Sequence, residues 1–381
     1  MSLIRFFRDI GGAEAVVPLD TDIIWGEDYT GDYQLLPHAA IQTEIDYATA
    51  IDVDAFKHVP FIKKIGTDKV ITYQQGLTDE DAEGQSIIMR FINSLGTLSS
   101  KYEVLPAFSN SGSAYPVTQI NLEMIEIENK WYYISLVMKV NYTDIDTAEA
   151  IGIIACERLT ETTFGSPFWV YSTSGTAPTP QTGFPQYNFN EPTSSKIKAK
   201  IKSTDYQVFG YPNDQANGFD GMPVDAVGDK FAELFSIKTG GEFVRISRNF
   251  NISNQASRMY FDFGDFVPVV SAIPSSPQRA SIQVLNDGRI AIVCGSTSDR
   301  KELWFAVADL NTLNFRQENI YKVIYGQETG QVFPGLYKNG VWAYSNFYHD
   351  KTDNKIKIVC SKYKEGIFLF EFNYADLNVI T

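Results

Sequence analysis

Short apolar runs rich in Val, Ile, Tyr and Phe, separated by Gly, Asn and Asp, set the pattern of this chain. Such runs predict strands, because branched and aromatic side chains suit a pleated, half-buried surface, and the polar punctuation predicts tight turns. The stretches 131–140 (WYYISLVMKV), 289–296 (RIAIVCGS), 303–310 (LWFAVADL), 355–363 (KIKIVCSKY) and 366–373 (GIFLFEFN) fit that pattern. Helical periodicity is sustained nowhere. The segment 81–95, DAEGQSIIMRFINSL, is the best candidate for a helix, and its I-I-M-R-F-I run fits a buried strand equally.

A unit recurs along the chain: a strand, a tight polar turn, then a very apolar strand. In 281–294, SIQVL-NDG-RIAIVC, Asp287-Gly288 offers the positive φ angles of a two-residue hairpin. Parallel cases are 61–74, 122–136, 231–247 and 334–346, so the turns centre near Thr67, Asn129, Gly240, Asp287 and Asn339. The intervals are about 62, 111, 47 and 52 residues. Four-stranded propeller blades repeat every 40–50 residues or so, longer where loops are inserted. The long interval then holds two blades, with the missing turn near Ser174-Gly175. The expectation is an all-β chain: a six-bladed β-propeller of four-stranded antiparallel blades over residues 51–381. A lone blade cannot cover its apolar faces, so closure into a ring would stabilise the repeat. Residues 1–50 fit no unit and read as a ring-closing segment or an extension that docks a partner. Residues 176–228, rich in Pro, Gly, Asn and Gln, read as long loops forming a rim over a binding site.

Composition narrows the partners. The net charge of −14 repels phosphate backbones, so nucleic acid is excluded as a general partner, although a few clustered arginines can still hold an anion. Lys196, Lys198, Lys200 and Lys202 alternate with other residues and read as the solvated face of a strand. Cys156, Cys294 and Cys360 are odd in number and sit in apolar runs, which reads as reduced core thiols. No signal peptide or membrane-spanning stretch is seen, so the expected place is cytoplasmic or virion-associated, with no membrane insertion. The chain has no phosphate-binding Gly loop, G-x-S-x-G elbow, H-E-x-x-H or Cys cluster, and neither cofactor nor metal is expected. Asp79, Asp81 and Glu83 alternate as in calcium loops but lack the remaining ligands, and read as a solvated acidic loop.

Segments 231–251, 275–315 and 331–359, together with 57–91 upstream, resemble the sialidase-like (BNR-repeat) six-bladed β-propeller superfamily. The resemblance covers residues 58 to about 370 and is strongest from 231 to 360. It rests on a Glu opening one blade, an Arg ending the next strand, the Asp287-Gly288-Arg289 hairpin and a second Arg before an apolar strand. Residues 93–97 and 262–265 echo its aspartate-box turns. The family clamps a carboxylate with three arginines, whose forked donors stay charged, and attacks with a Glu-activated Tyr beside an Asp acid/base. By that resemblance Glu233 is the activating Glu, Arg248 and Arg300 are two of the arginines, and Asp81 belongs to the acidic loop. His58 stands where the first arginine would be, and Phe333 stands where the nucleophilic Tyr would be. Some relatives in the wider superfamily use a His as acid/base on uronate-containing glycans, which keeps His58 as a catalytic candidate.

The catalytic candidates are therefore Asp81, Glu233 and His58, and the ligand candidates are Arg248, Arg300, Arg279, Tyr348 and His349. Each has a plainer reading: Glu233 and Arg248 as a structural ion pair, Arg300 as an exposed loop residue, His58 as a satisfied buried ring, the aromatics as blade packing. Three functions follow. The first is a recognition propeller holding an acidic glycan at its central face, as a receptor-binding part of a larger assembly such as a phage tail. The second is a glycoside hydrolase or lyase acting on an acidic sugar. The third is a structural propeller that binds proteins. Residues 1–50 would carry homo-oligomer or assembly contacts.

Overall fold

The computed structural model describes residues 24–25, 34–48, 55–77, 85–105, 122–141, 144–160, 162–172, 192–201, 234–237, 243–250, 258–262, 269–274, 281–295, 301–309, 312, 314–324 and 341–377. Strands β1 (Ile24–Trp25), β2 (Gln34–Leu35) and β3 (Ile41–Tyr47) come first. A meander β4 (Phe56–Ile65), β5 (Asp68–Gly76), β6 (Ser86–Ile92) and β7 (Tyr102–Leu105) follows. The next is β8 (Leu122–Ile127), β9 (Lys130–Asn141), β10 (Asp144–Glu157) and β11 (Phe168–Ser172). After helix α1 (Thr193–Ile201) come β12 (Leu234–Ile237), β13 (Phe243–Phe250), β14 (Arg258–Asp262) and β15 (Val269–Pro274). Then come β16 (Ser281–Val284), β17 (Ile290–Gly295), β18 (Leu303–Ala308) and β19 (Ile320–Ile324), and finally β20 (Trp342–Asp350), β21 (Lys355–Lys362) and β22 (Gly366–Asn373).

The described residues form five sheets, each built on one meander. All pairings are antiparallel except those of β1 on β15 and β2 on β19, which add a fifth strand to two sheets. The last meander has three strands, and β3 supplies its fourth by pairing with β22. The chain is therefore all-β and mostly antiparallel. The turns expected at Thr67, Asn129 and Asp287 sit in three of the five sheets, whereas Ser174-Gly175, Gly240 and Asn339 lie outside the described residues. Of the segment 176–228 expected as loops, residues 193–201 form helix α1 instead, and 176–191 and 202–228 lie outside the described residues. Within 81–95 the I-I-M-R-F-I run lies in strand β6 and not in a helix, while residues 81–84 lie outside the described residues.

Two local expectations need correction. The Asp287 turn is a three-residue loop: Leu285 and Arg289 close it, Gly288 N–H bonds Leu285 O at 3.0 Å, and only Gly288 takes a positive φ, 87°. A type I turn followed by one left-handed residue needs a single Gly, which is what the sequence supplies. The lysine run is not a strand face. It lies in α1, where Ser194 and Ile197 are buried three residues apart while Ala199 and Lys200 are exposed, and Lys202 lies outside the described residues. The Lys-x-Lys alternation looks like period two, but the buried positions follow the helical period and win.

The chain packs as two compact units, Met1–Ala40 with Lys202–Gly326 and Asn373–Thr381, and Ile41–Ile201 with Gln327–Phe372. In the second unit the sheet β4–β7 is buried on both faces. Val70, Ile87, Met89 and Phe91 point into a core shared with Met124, Tyr133 and Ile154. Ile71, Tyr73, Ile88 and Ile92 point the other way, into a core shared with Ile45, Val359, Ile367 and Leu369. Alternate side chains of one strand thus serve two cores, which is why the I-I-M-R-F-I run is almost continuously apolar. Arg90, the exception, donates to the backbone carbonyls of Ile45 and Ser99. No helix among the described residues is long and apolar enough to cross a membrane.

Candidate functional site

In the second unit, polar side chains are buried together where β4 begins. Lys57, His58, Gln85, Ser361 and Glu365 are fully buried, and Gln74, Gln75, Ser86 and Lys364 nearly so. The register explains the grouping. Lys57 faces Gln75 and Gln75 faces Ser86, which makes a polar row across three strands, and His58 faces Gln74. The turn between β21 and β22 adds Lys364 and Glu365, with Lys57 N–H bonded to Lys364 O at 2.7 Å. Both amide atoms of Gln74 lack a hydrogen-bond partner among the described residues, an arrangement that costs stability when it is kept.

The backbone is unusual here as well. Val59, Tyr344, Tyr363 and Lys364 hold positive φ angles of 47°, 53°, 51° and 55°. A left-handed β-branched residue is rare, and such residues persist where the surrounding structure over-determines them. Two register slips accompany them, between His58 and Phe61 on β4 and between Ala343 and Asn346 on β20. The slips turn the His58 ring onto Tyr344, with centroids 4.1 Å apart, and bring its Nδ1 to 2.9 Å from Ser361 Oγ. Asn346 Oδ1 in turn accepts the Ile62 N–H at 3.1 Å. At the adjoining turn the Tyr47 hydroxyl donates to Glu365 at 3.4 Å, and burial together with that carboxylate pushes the phenol up to about 12.

Tyr348 and His349 are not part of this group. They follow Tyr344 by four and five residues along β20, about 13–17 Å at the rise of a strand. That end of the unit carries an ionic network instead. Lys64 binds Asp350 at 2.6 Å, and buried Lys357 reaches Asp353 at 2.5 Å, Glu371 at 2.9 Å and Asp350 at 3.4 Å. Tyr348 donates to Asp350 at 3.3 Å, and burial and that carboxylate raise its phenol. His349 pairs with Asn354 at 2.9 Å. Tyr348 and His349 thus sit toward the opposite end of β20 from Tyr344, the residue that packs on His58.

Arg248 lies in β13, at the register slip between Ser247 and Phe250. Asp81, Glu233, Arg279, Arg300 and Phe333 lie outside the described residues. Among the described residues no group of three His, Cys, Asp or Glu side chains is placed to hold a metal. Sequence reasoning missed Lys57, Gln74, Ser361 and Glu365. A small hydroxyl inside the apolar run IVCSKY was the one available signal for Ser361.

With this geometry in place, comparison with solved structures gives a likeness of fold. A sialidase superposes over 92% of this chain with a TM-score of 0.64 and 12% identity. The chain spans about a third of that protein's length, 35%. The Trypanosoma rangeli sialidase in complex with sialic acid matches over 90% of this chain and 58% of its own, with TM-score 0.47 and 11% identity. A family 117 glycoside hydrolase from the marine bacterium Zobellia galactanivorans matches over 87% and 90%, with TM-score 0.41 and 7% identity. No protein-family model matches the chain, and no curated protein sequence matches it.

Proposed function

We propose that this chain is a carbohydrate-recognising, sialidase-like propeller that engages an acidic glycan. The observation that carries the reading is the superposition on a sialidase across 92% of the chain. Arg248, Arg300 and Arg279 are the ligand cations, because a guanidinium keeps its charge and offers a fork matched to a carboxylate. Phe333 removes the phenolic oxygen that the resemblance would use for attack, so recognition without turnover is the leading form of the proposal. In that form the chain is the recognition part of a larger assembly, such as a phage tail.

The test is a panel of sialylated and uronate-containing oligosaccharides offered to the wild type and to Arg248→Ala. Binding without turnover, weakened about tenfold or more in the variant, is expected, since a charge-assisted hydrogen bond contributes about 1.5–3 kcal/mol. Turnover lost in the variant would establish the hydrolase or lyase instead. No response from the wild type would overturn the glycan reading.

A further inference from the structure

The contacts of Ser361 bear on which nitrogen of His58 carries a proton. Ser361 Oγ lies 2.9 Å from His58 Nδ1 and 2.9 Å from the carbonyl oxygen of Ala343. A hydroxyl owns one proton, and a carbonyl has none to give. Were that proton spent on His58, two bare oxygens would face each other at 2.9 Å in a fully buried place. Spent on Ala343, it leaves Oγ to accept from Nδ1–H, and both contacts become hydrogen bonds. The register slip after Ala343 makes the same demand, because it interrupts the β20–β21 ladder beside this carbonyl and Ser361 is its cross-strand neighbour.

The surroundings also bear on charge. The ring packs against Phe56 at 5.5 Å and Tyr344 at 4.1 Å, Gln74 faces it across β5, and it has no exposed surface. The Lys364 ammonium lies 6.0 Å from the same Tyr344 ring. The neighbouring carboxylate, Glu365, takes the Tyr47 hydroxyl. Burial and the nearby Lys364 ammonium disfavour a further positive charge on the ring.

We propose that Ser361 is a positioning residue that fixes His58 as the neutral Nδ1–H tautomer, making Nε2 the acceptor atom of the ring.

Nitrogen-15 NMR of imidazole-labelled protein tests this without any glycan, so it stands or falls separately from the functional proposal. The chain has three histidines, and His58→Gln assigns the ring by removing its signals. At neutral pH the expected His58 pattern is a protonated Nδ1 and a bare Nε2. Ser361→Ala should lose that pattern in favour of the Nε2–H form, and Ser361→Thr, which restores the hydroxyl, should keep it. Folding of each variant is checked by its amide spectrum. A wild-type His58 protonated at Nε2, or at both nitrogens, overturns the proposal, as does an unchanged pattern in folded Ser361→Ala.

Discussion

Asp350 shows how one side chain can set the acid limit of the second unit. Burial by itself would raise its pKa, but the bond from Lys64, the backbone N–H of Thr352 at 2.9 Å and the charge of Lys357 outweigh burial and hold the carboxyl at about 2. An unfolded Asp titrates near about 3.9. The contact therefore gives its full contribution above about pH 4 and loses it as the pH falls toward about 2. Lys64 is 25% exposed, so solvent screening leaves an expected share of about 1–2 kcal/mol. Urea midpoints measured from pH 7 to pH 2 should show Asp350→Asn less stable at neutral pH, with a flatter acid limb. An acid limb identical to the wild type would remove Asp350 as its cause.

Among the elements, the junction of β22 with β3 is tightly fitted around Gly366. A Cβ placed on Gly366 would lie 2.1 Å from Tyr47 Cδ2 and 3.0 Å from Phe368 Cε2, with no room to yield on both sides. Gly366→Ala should destabilise the protein by about 1–3 kcal/mol in chemical denaturation, as overpacked cores do. Combining it with Tyr47→Ala should cost less than the sum of the two single changes, and strict additivity would show that the clash lies elsewhere. The meanders were legible in the sequence because apolar runs and Gly, Asn and Asp turns alternate along the chain. Helix α1 was not legible, because its lysines alternate while its burial follows Ser194 and Ile197. The polar row of Lys57, Gln75 and Ser86 was not legible either. It exists only once three strands are in register, and no one of those strands contains it.

At the scale of the whole molecule, all three cysteines are buried and none is in a disulfide. Burial raises the Cys156 thiol and pushes that of Cys294 up to about 12, which keeps the reactive thiolate scarce. A colorimetric thiol reagent should find no reactive group in the native protein and three in guanidinium, and any fast native reaction would show a core more open than described. The N-terminal strands carry a different consequence. During synthesis Ile41 emerges 330 residues before its partner Glu371, Gln34 emerges 287 before Tyr321, and Ile24 emerges 245 before Val269. At roughly 5–20 residues per second, the ribosome leaves these edge-seeking strands without their mates for about 12–66 s. The earlier strand of each pair thus waits long for its mate, and through that interval it is a natural client for chaperones.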